Sequence, residues 1–439
     1  MRIKVIALLL GSSLVTQAQA ADLMQVYKQA LDNDAVIASA RASLAAGEER
    51  AVQGRAGLLP TANLSASRSR TELQQQNREY DSKGYTLSLS QPLFRLANWE
   101  AFQQGKLQTE VSIAQFGQAQ QELILRVAQA YFDVLIAEDT LSSILSQKDA
   151  TSEQLAFAKR NFEVGTATIT DTYEAQARFD LIIAQELAAR NNLAIARSAL
   201  QQITGAPADK LAELRPTVEL RAPQPEQIDP WITNAQSENY SVVAQELALE
   251  IARREIRRNR AGHTPTVDLV ANRNYSDQTG TDLVAGNVTR TSNSVGLQLN
   301  IPLFSGYAVS SRVNEAVALQ DKARADLDNA RRTAAQAARQ AYFSVTSGLS
   351  QVKALEAAEA SSRSALEANQ LGYQVGVRIN IDVLNAQQQL FAARRDLSRA
   401  RYETLLNSLR LKAAAGILTE VDVQHVNDLL YYPPEAKTQ

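Results

Sequence analysis

The sequence predicts a mixed α/β membrane protein made of two copies of one unit, each joining a strand pair to a very long helix. Three observations predict it. Landmarks recur in order 205 to 211 residues apart, two stretches of about 65 residues contain no proline, and two pairs of alternating strands sit in a chain with an export signal.

The export signal comes first. Arg2 and Lys4 precede the apolar run Val5 to Leu10, and small residues end at Ala18-Gln19-Ala20, so residues 1–20 read as a signal peptide and the mature chain begins at Ala21. The apolar run is far shorter than the ~20 residues of a spanning helix. No other stretch is long and apolar enough to span as a helix. If the chain enters a membrane, it does so as strands.

Composition excludes several function classes. With Cys 0 there is no disulfide, thiol nucleophile or cysteine-ligated metal. The two histidines, His263 and His425, are far apart, so no histidine metal site or neutral-pH acid/base centre is expected. The reading is of a protein that is not an enzyme and carries no metal or cofactor. Lys+Arg 45 against Asp+Glu 47 gives no nucleic-acid signature. The basic run Arg253, Arg254, Arg257, Arg258 and Arg260 is read as a solvated helix face near the membrane edge.

The duplication sets the organisation. Leu59-Pro60-Thr61 recurs as Thr264-Pro265-Thr266 (60 to 265, offset 205), and Pro92-Leu93-Phe94 as Pro302-Leu303-Phe304 (92 to 302, offset 210). Ala130-Tyr131-Phe132 recurs as Ala341-Tyr342-Phe343 and Val164-Gly165 as Val375-Gly376, both at offset 211. The offset grows mainly between the two proline landmarks, where a connecting loop absorbs the extra length. The expected division is 21–210 for repeat one (strand pair about 61–94, long helices about 97–204), a linker at 211–225, 226–416 for repeat two (strand pair about 266–304, long helices about 307–415), and a closing segment and tail at 417–439.

Within each repeat a first helix is expected over about 22–56 and 226–261. From Trp99 to Val164 apolar residues recur at helical spacing, as in the stripe Leu123, Val127, Ala130, Val134. At 1.5 Å per residue, ~65 residues make a rod on the order of 100 Å, too long for an ordinary globular helix. The second rod runs from Tyr307 to Gln374. Gly165 and Gly376 turn the chain into second helices, about 168–203 and 379–414, which end near Gly205 and Gly416.

The segments between the helices alternate. Val295, Leu297, Leu299, Ile301 and Leu303 share one face, with Gly296, Gln298, Asn300 and Pro302 on the other, and Tyr85 to Gln91 does the same through Leu87 and Leu89. Their partners, about 61–70 and 266–275, are more polar, and polar loops (Gln74 to Asn77; Gly280, Gly286, Asn287) are expected between. Aromatic clusters follow each pair: Phe94, Trp99 and Phe102, then Phe304 and Tyr307. Four strands cannot close a barrel, and an open edge is forbidden in lipid. Two copies would give eight strands and a filled interior, whereas three give twelve and room for a pore. A homotrimer is therefore expected.

These residues resemble the TolC outer-membrane efflux and secretion channel family over essentially the whole mature chain, from Asp22-Leu23-Met24-Gln25-Val26-Tyr27 to Ala415-Gly416. The matching motifs include Leu59-Pro60, Gln91-Pro92-Leu93-Phe94, Ala130-Tyr131-Phe132, Ala189-Arg190-Asn191-Asn192-Leu193, Gln202-Ile203-Thr204-Gly205 and Gly372-Tyr373-Gln374-Val375-Gly376. The resemblance implies a trimeric twelve-stranded barrel in the outer membrane, continued by a long periplasmic helical barrel. A mixed belt would form from segments near 205–230 and the C-terminal region. It also implies an exit duct of a tripartite efflux pump or type I secretion system. The partners would be a periplasmic adaptor (membrane fusion protein), an inner-membrane transporter of RND, ABC or MFS type, and outer-membrane lipid.

The resemblance further implies a periplasmic gate. Thr170 and Asp171 in repeat one, with Tyr373 and Arg378 in repeat two, match the polar links that pin it. By itself, Arg378 with Asp382 is an ordinary i,i+4 pair. Asp382 matches an acidic ring at the constriction. The family's second acidic position is Asn385 here, and Glu174, 211 residues earlier, is read as carrying that charge from repeat one. The tips Val164-Gly165-Thr166 and Val375-Gly376-Val377 match the adaptor-contacting turns, with Val377 where a small polar residue is common. The other architecture considered is a periplasmic coiled-coil adaptor, which normally has one helical hairpin rather than two. Cargo is not encoded in these motifs: small molecules and proteins use the same tunnel.

Overall fold

The computed structural model describes residues 21–73, 78–207, 210–215, 218–281 and 284–432. The expected signal peptide at 1–20, the loop Gln74 to Asn77 and the end of the tail lie outside the described residues.

Repeat one contains α1 (Leu23–Asn33), α2 (Ala35–Ala56), β1 (Thr61–Leu73), β2 (Arg78–Phe94), α3 (Leu96–Glu163) and α4 (Ile169–Thr204). A short β3 (Glu213–Leu214) follows. Repeat two repeats the order as α5 (Ile228–Ser237), α6 (Tyr240–Arg260), β4 (Thr266–Thr281), β5 (Val284–Asn300), α7 (Ala308–Gln374) and α8 (Asn380–Ala414). The chain closes with α9 (Glu420–Asn427) and β6 (Leu430–Tyr431).

Each first helix, expected as one piece, is two. Asp34 accepts from the Ile37 amide at 2.8 Å and starts α2, while Asn239 accepts from the Ser241 amide at 3.0 Å and starts α6. Short polar side chains at these points satisfy amides that a continuous helix would otherwise bond along its backbone, so the chain bends there. His263 lies in a 3₁₀ turn before β4 and His425 in α9, far apart as the sequence implies.

The sheet is four antiparallel strands in the order β1-β2-β4-β5. Its register separates two faces. Ala62, Leu89, Ala271 and Val295 stand in one row; Leu87 and Leu64 lie in the next, and Leu269 with Leu297 in the row on the other side. The opposite face carries Asn63, Ser88, Asn272 and Ser294 in one row and Ser65, Thr86, Asn274 and Ser292 in the next. One face therefore suits hydrocarbon and the other suits water.

Aromatic rings bound the apolar face. Tyr85 and Tyr275 stack at 5.2 Å at the end away from the helices, while Trp99 with Phe102 (6.1 Å) and Phe304 with Tyr307 (5.7 Å) meet edge-on at the helix end. From Phe94 to Tyr85 a strand rises roughly 30 Å along its axis and about 23 Å once tilted, against the ~25 Å apolar band of an outer-membrane barrel. The strands run further than the apolar alternation. Gly280, Gly286 and Asn287, expected in a loop, lie within β4 and β5. Beyond the aromatic row the backbone pairing continues in water, where no apolar face is needed.

The strand-to-helix junction is locked on the polar face. Arg95 donates Nε to Asp268 at 2.7 Å and a terminal nitrogen at 2.6 Å, and Asp268 is buried. Paired, two-point contact offsets the cost of burying that carboxylate. The basic run of α6 is also paired rather than merely solvated: Arg254 and Arg257 each reach buried Glu100 of α3, and Arg258 reaches Glu255 and Gln104.

The main core sits halfway along the rods. Leu123, Val127, Tyr131 and Val134 of α3 pack with Leu23, Val26 and Tyr27 of α1, Leu405 and Leu409 of α8, and Val423 and Val426 of α9. The two chain ends close round it: β3 pairs with β6, Ala21 bridges to Leu211, and the Tyr131 hydroxyl donates to the Ala212 carbonyl at 2.7 Å. Above this belt the four segments are α2, α6 and the first halves of α3 and α7; below it they are α4, α8 and the second halves. Every level of the chain therefore offers four helices beneath four strands.

Candidate functional site

The two hairpin tips, α3–α4 and α7–α8, are built alike. Gly165 has φ 78° and Gly376 φ 79°, the left-handed conformation that glycine adopts without a Cβ penalty. The Gly165 amide donates to Phe162 (3.0 Å) and the Thr166 amide to Asn161 (2.8 Å); the Gly376 amide donates to Tyr373 (3.1 Å) and the Val377 amide to Gly372 (2.9 Å). Each of these bonds repeats at offset 211 (162 to 373, 161 to 372). Val164, Val375 and Val377 are 72%, 65% and 76% exposed, so each tip presents unburied valine at the end of the molecule.

Behind the tips the repeats diverge. Thr168 caps α4: its hydroxyl accepts from the Asp171 amide at 3.3 Å, and Asp171 accepts in return from the Thr168 amide at 2.9 Å and hydroxyl at 2.8 Å. The corresponding residues of α8 are Ile379 and Asp382 (168 and 171 plus 211), and Ile379 makes no side-chain cap. Asp171 is thus tied to its own helix end, while Asp382 is left with Arg378 at 3.7 Å, an exposed and weak pair. Thr170 is exposed. Tyr373 packs edge-on against Phe157 at 5.7 Å. Arg378 folds over Gly372, where an added Cβ would meet its Cγ at 2.7 Å. Within one protomer the described contacts hold Asp171 and Arg378 apart, each with a partner of its own. Glu174 and Asn385 are at the same level one turn on, Glu174 half-buried and Asn385 exposed.

Residues the sequence reading did not select join the two hairpins. Asn380 is fully buried; its amide nitrogen donates to the Asp171 carbonyl at 3.2 Å, and its oxygen accepts from Gln154 of α3. Its counterpart in repeat one is Ile169 (169 to 380), so a polar residue where the copy has an apolar one was the available signal. Arg178 of α4 reaches across to α8, donating to Gln388 at 2.6 Å and to Asn385 at 2.9 Å. Higher up, Arg395 donates to Gln147 at 3.3 Å and the Ser398 hydroxyl donates to Asp139. Burial holds the Asp139 carboxyl above its usual range, with the Ser398 and Tyr402 hydroxyls opposing that shift.

Contacts inside each hairpin are of another kind. Lys148–Glu186 (2.8 Å) and Arg197–Glu138 (2.7 Å) bind α3 to α4, and Arg394–Glu359 (3.1 Å) and Arg401–Glu356 (2.7 Å) bind α7 to α8. Lys148 and Arg190 lower the Glu186 carboxyl, and Arg363 with Arg394 lowers Glu359. A lowered carboxylate contributes above the ordinary glutamate range and is lost only as pH falls through the lowered value. Below the belt, among the described residues, no ion pair crosses from one hairpin to the other. The hairpins are charge-laced units, and the seam between them combines a small apolar cluster, Leu155 and Ala158 of α3 and Ala175 of α4 with Leu384 of α8, with amide, hydroxyl and guanidinium hydrogen bonds.

A lipid-faced sheet with open edges, continued by a bundle of long rods that ends in exposed valine turns, defines a membrane channel component. The comparisons with known proteins agree. The model for "Outer membrane efflux protein" matches residues 26–206 and 231–417. The chain is 34% identical to the outer membrane protein TolC of Vibrio cholerae over 433 residues, covering 97% of this chain and 98% of that protein. It is 33% identical to TolC of Escherichia coli (98% and 90% covered) and 34% to the alkaline protease secretion protein AprF of Pseudomonas aeruginosa (93% and 87%). Its fold matches the outer membrane protein VceC of Vibrio cholerae with TM-score 0.76 at 19% identity, covering 90% of this chain and 96% of that one. It matches the CmeC channel of Campylobacter jejuni with TM-score 0.78 at 17% identity, covering 93% and 89%. The chain belongs to the outer membrane efflux protein family, and its place is the outer membrane, with the helical part in the periplasm.

The seam makes Arg178 testable. Hydrogen bonds to a charged group contribute about 1.5–3 kcal/mol. Arg178→Gln is expected to raise the single-channel conductance of the reconstituted protein severalfold, with Arg178→Lys intermediate and helical content unchanged by circular dichroism. A variant that conducts like wild type would show that this contact does not resist opening.

Proposed function

We propose that three copies of this chain form an outer-membrane exit duct whose periplasmic mouth is a gate. The duct passes small molecules or proteins delivered by an inner-membrane transporter through a periplasmic adaptor. The observation that carries the reading is the sheet: four strands with a lipid face and two unpaired edges, β1 and β5, above four helix segments at every level. Three chains give twelve strands and twelve helices around one axis, and that axis is lined by the polar strand face. A periplasmic adaptor has no use for a lipid-facing sheet, so the duct is the better reading. Relatives are named for protease secretion and for toluene efflux, which supports both cargo classes and separates neither.

Asp382 is the residue best placed to line the mouth. Its repeat mate Asp171 is held in a capping box, whereas Asp382 stands at an uncapped helix start. Around a threefold axis three Asp382 carboxylates form an acidic ring, and like charges in a narrow pore attract cations. Glu174 adds a second carboxylate per chain near that level. Closing contacts between neighbouring chains would run from Arg378 to Thr170 and Asp171, exchanging its weak pair with Asp382 for a forked contact. Tyr373 would supply a hydroxyl from the same hairpin.

The exposed valine turns at 164–166 and 375–377 are the docking points for an adaptor hairpin. Both present the same backbone, so six near-equivalent tips would meet the partner. The adaptor would be a membrane fusion protein, and the transporter one of the RND, ABC or MFS types.

Two measurements test the gate in planar bilayers. Arg378→Ser, alone or with Tyr373→Phe, is expected to raise conductance severalfold; an unchanged value would place the lock elsewhere. Multivalent cations added on the periplasmic side are expected to block the wild-type current, and Asp382→Asn and Glu174→Gln each to weaken that block. An effect of Asp382→Asn alone would remove Glu174 from the ring.

A further inference from the structure

Among the described residues, one cation on the lipid face has no partner. Arg273 of β4 lies directly opposite Leu87 of β2, itself opposite Leu64 of β1, and across from Asn293 of β5. It therefore points to the same side as the apolar band, and it is exposed. The other cations on this face are answered within the sheet: Lys83 by Asp277 at 3.1 Å, Arg68 by Asp81 at 3.8 Å, and Arg70 by Glu79. Among the described residues Arg273 makes no hydrogen bond or ion pair. Because β4 is an inner strand, joining neighbouring chains at β1 and β5 leaves its outward face uncovered, so lipid is what lies against Arg273.

Its depth narrows the choice of ligand. A guanidinium on the lipid face of a barrel is costly at the bilayer midplane and close to neutral near the interface. Arg273 is one row below the Tyr85–Tyr275 stack, whose rings mark the interface at the end away from the helices. An extended arginine stem spans that one row and carries the guanidinium to headgroup level. The helices leave from the opposite end, so this is the external leaflet.

We propose that Arg273 binds an anionic phosphate on the headgroup of an outer-leaflet lipid, one lipid per chain. The planar fork of the guanidinium matches two phosphate oxygens, and Tyr85 and Tyr275 flank the headgroup with rings suited to the interface. The proposal rests on the outer-membrane location and not on the gate.

The test is native mass spectrometry of the intact detergent-solubilised oligomer titrated with phosphorylated lipid A, with its dephosphorylated form as control. Wild type is expected to retain one phosphorylated lipid per chain. Arg273→Leu, a residue that suits a lipid-facing strand, is expected to lower the apparent affinity about tenfold, with Arg273→Lys in between. The proposal fails if Arg273→Leu binds phosphorylated lipid as wild type does, or if the dephosphorylated lipid binds equally well. Displacement of the lipid by millimolar inorganic phosphate would show a free-anion site and overturn the lipid assignment.

Discussion

An unpaired strand edge cannot persist in hydrocarbon, and this chain has two of them. β1 and β5 each present a row of amide and carbonyl groups along one side, with no water in the membrane to satisfy them. The remaining architecture follows from satisfying those groups with further copies of the same strands. Once the sheet closes round an axis, each strand pair hands its chain to a long helix, and the helices must continue the ring. The Arg95–Asp268 lock sits where that hand-over occurs, and the mid-rod core with its belt of chain ends holds the helices in their ring at half height.

Below the belt the distribution of contacts separates what is rigid from what can move. Ion pairs fasten α3 to α4 and α7 to α8, so each hairpin behaves as one rod. The join between rods is the apolar patch of Leu155, Ala158, Ala175 and Leu384 together with Gln154, Asn380, Arg178, Asn385, Gln388, Gln147 and Ser398, whose hydrogen bonds can be exchanged for water at a cost of about 0.5–3 kcal/mol each. A mouth that opens by swinging one hairpin against the other loses seam bonds and keeps its ion pairs. The difference between Thr168 and Ile379, a cap in one repeat and none in the other, leaves Asp382 with only its weak pair to Arg378, and this is the carboxylate that the proposed gate uses.

The large elements were legible in the sequence because their signals are local. Proline-free stretches, Gly165 and Gly376, and the offset between copies placed both rods and both tips to within a residue or two. The breaks at Asp34 and Asn239 were also local, since each is a short polar residue at a helix start, but the helical periodicity around them masked the cap. Strand ends were missed because alternation marks only the part of a strand in lipid. The seam was not legible: whether Arg178 bonds along α4 to Glu174 or across to α8 depends on which helix lies beside it, and one helix's periodicity does not contain that. The alternation of β4 puts Arg273 on the face of Val267 and Leu269, but that it lies between Leu87 and Asn293, with no acidic partner, is set by the register across strands.

The central claim, that free sheet edges force three chains into one barrel, is tested most directly by the native mass of the full-length protein extracted in mild detergent. The account predicts a single species of three chains. A stable monomer would show that the β1 and β5 edges need no partner, and a dimer of eight strands would leave no room for a pore; either mass would contradict it.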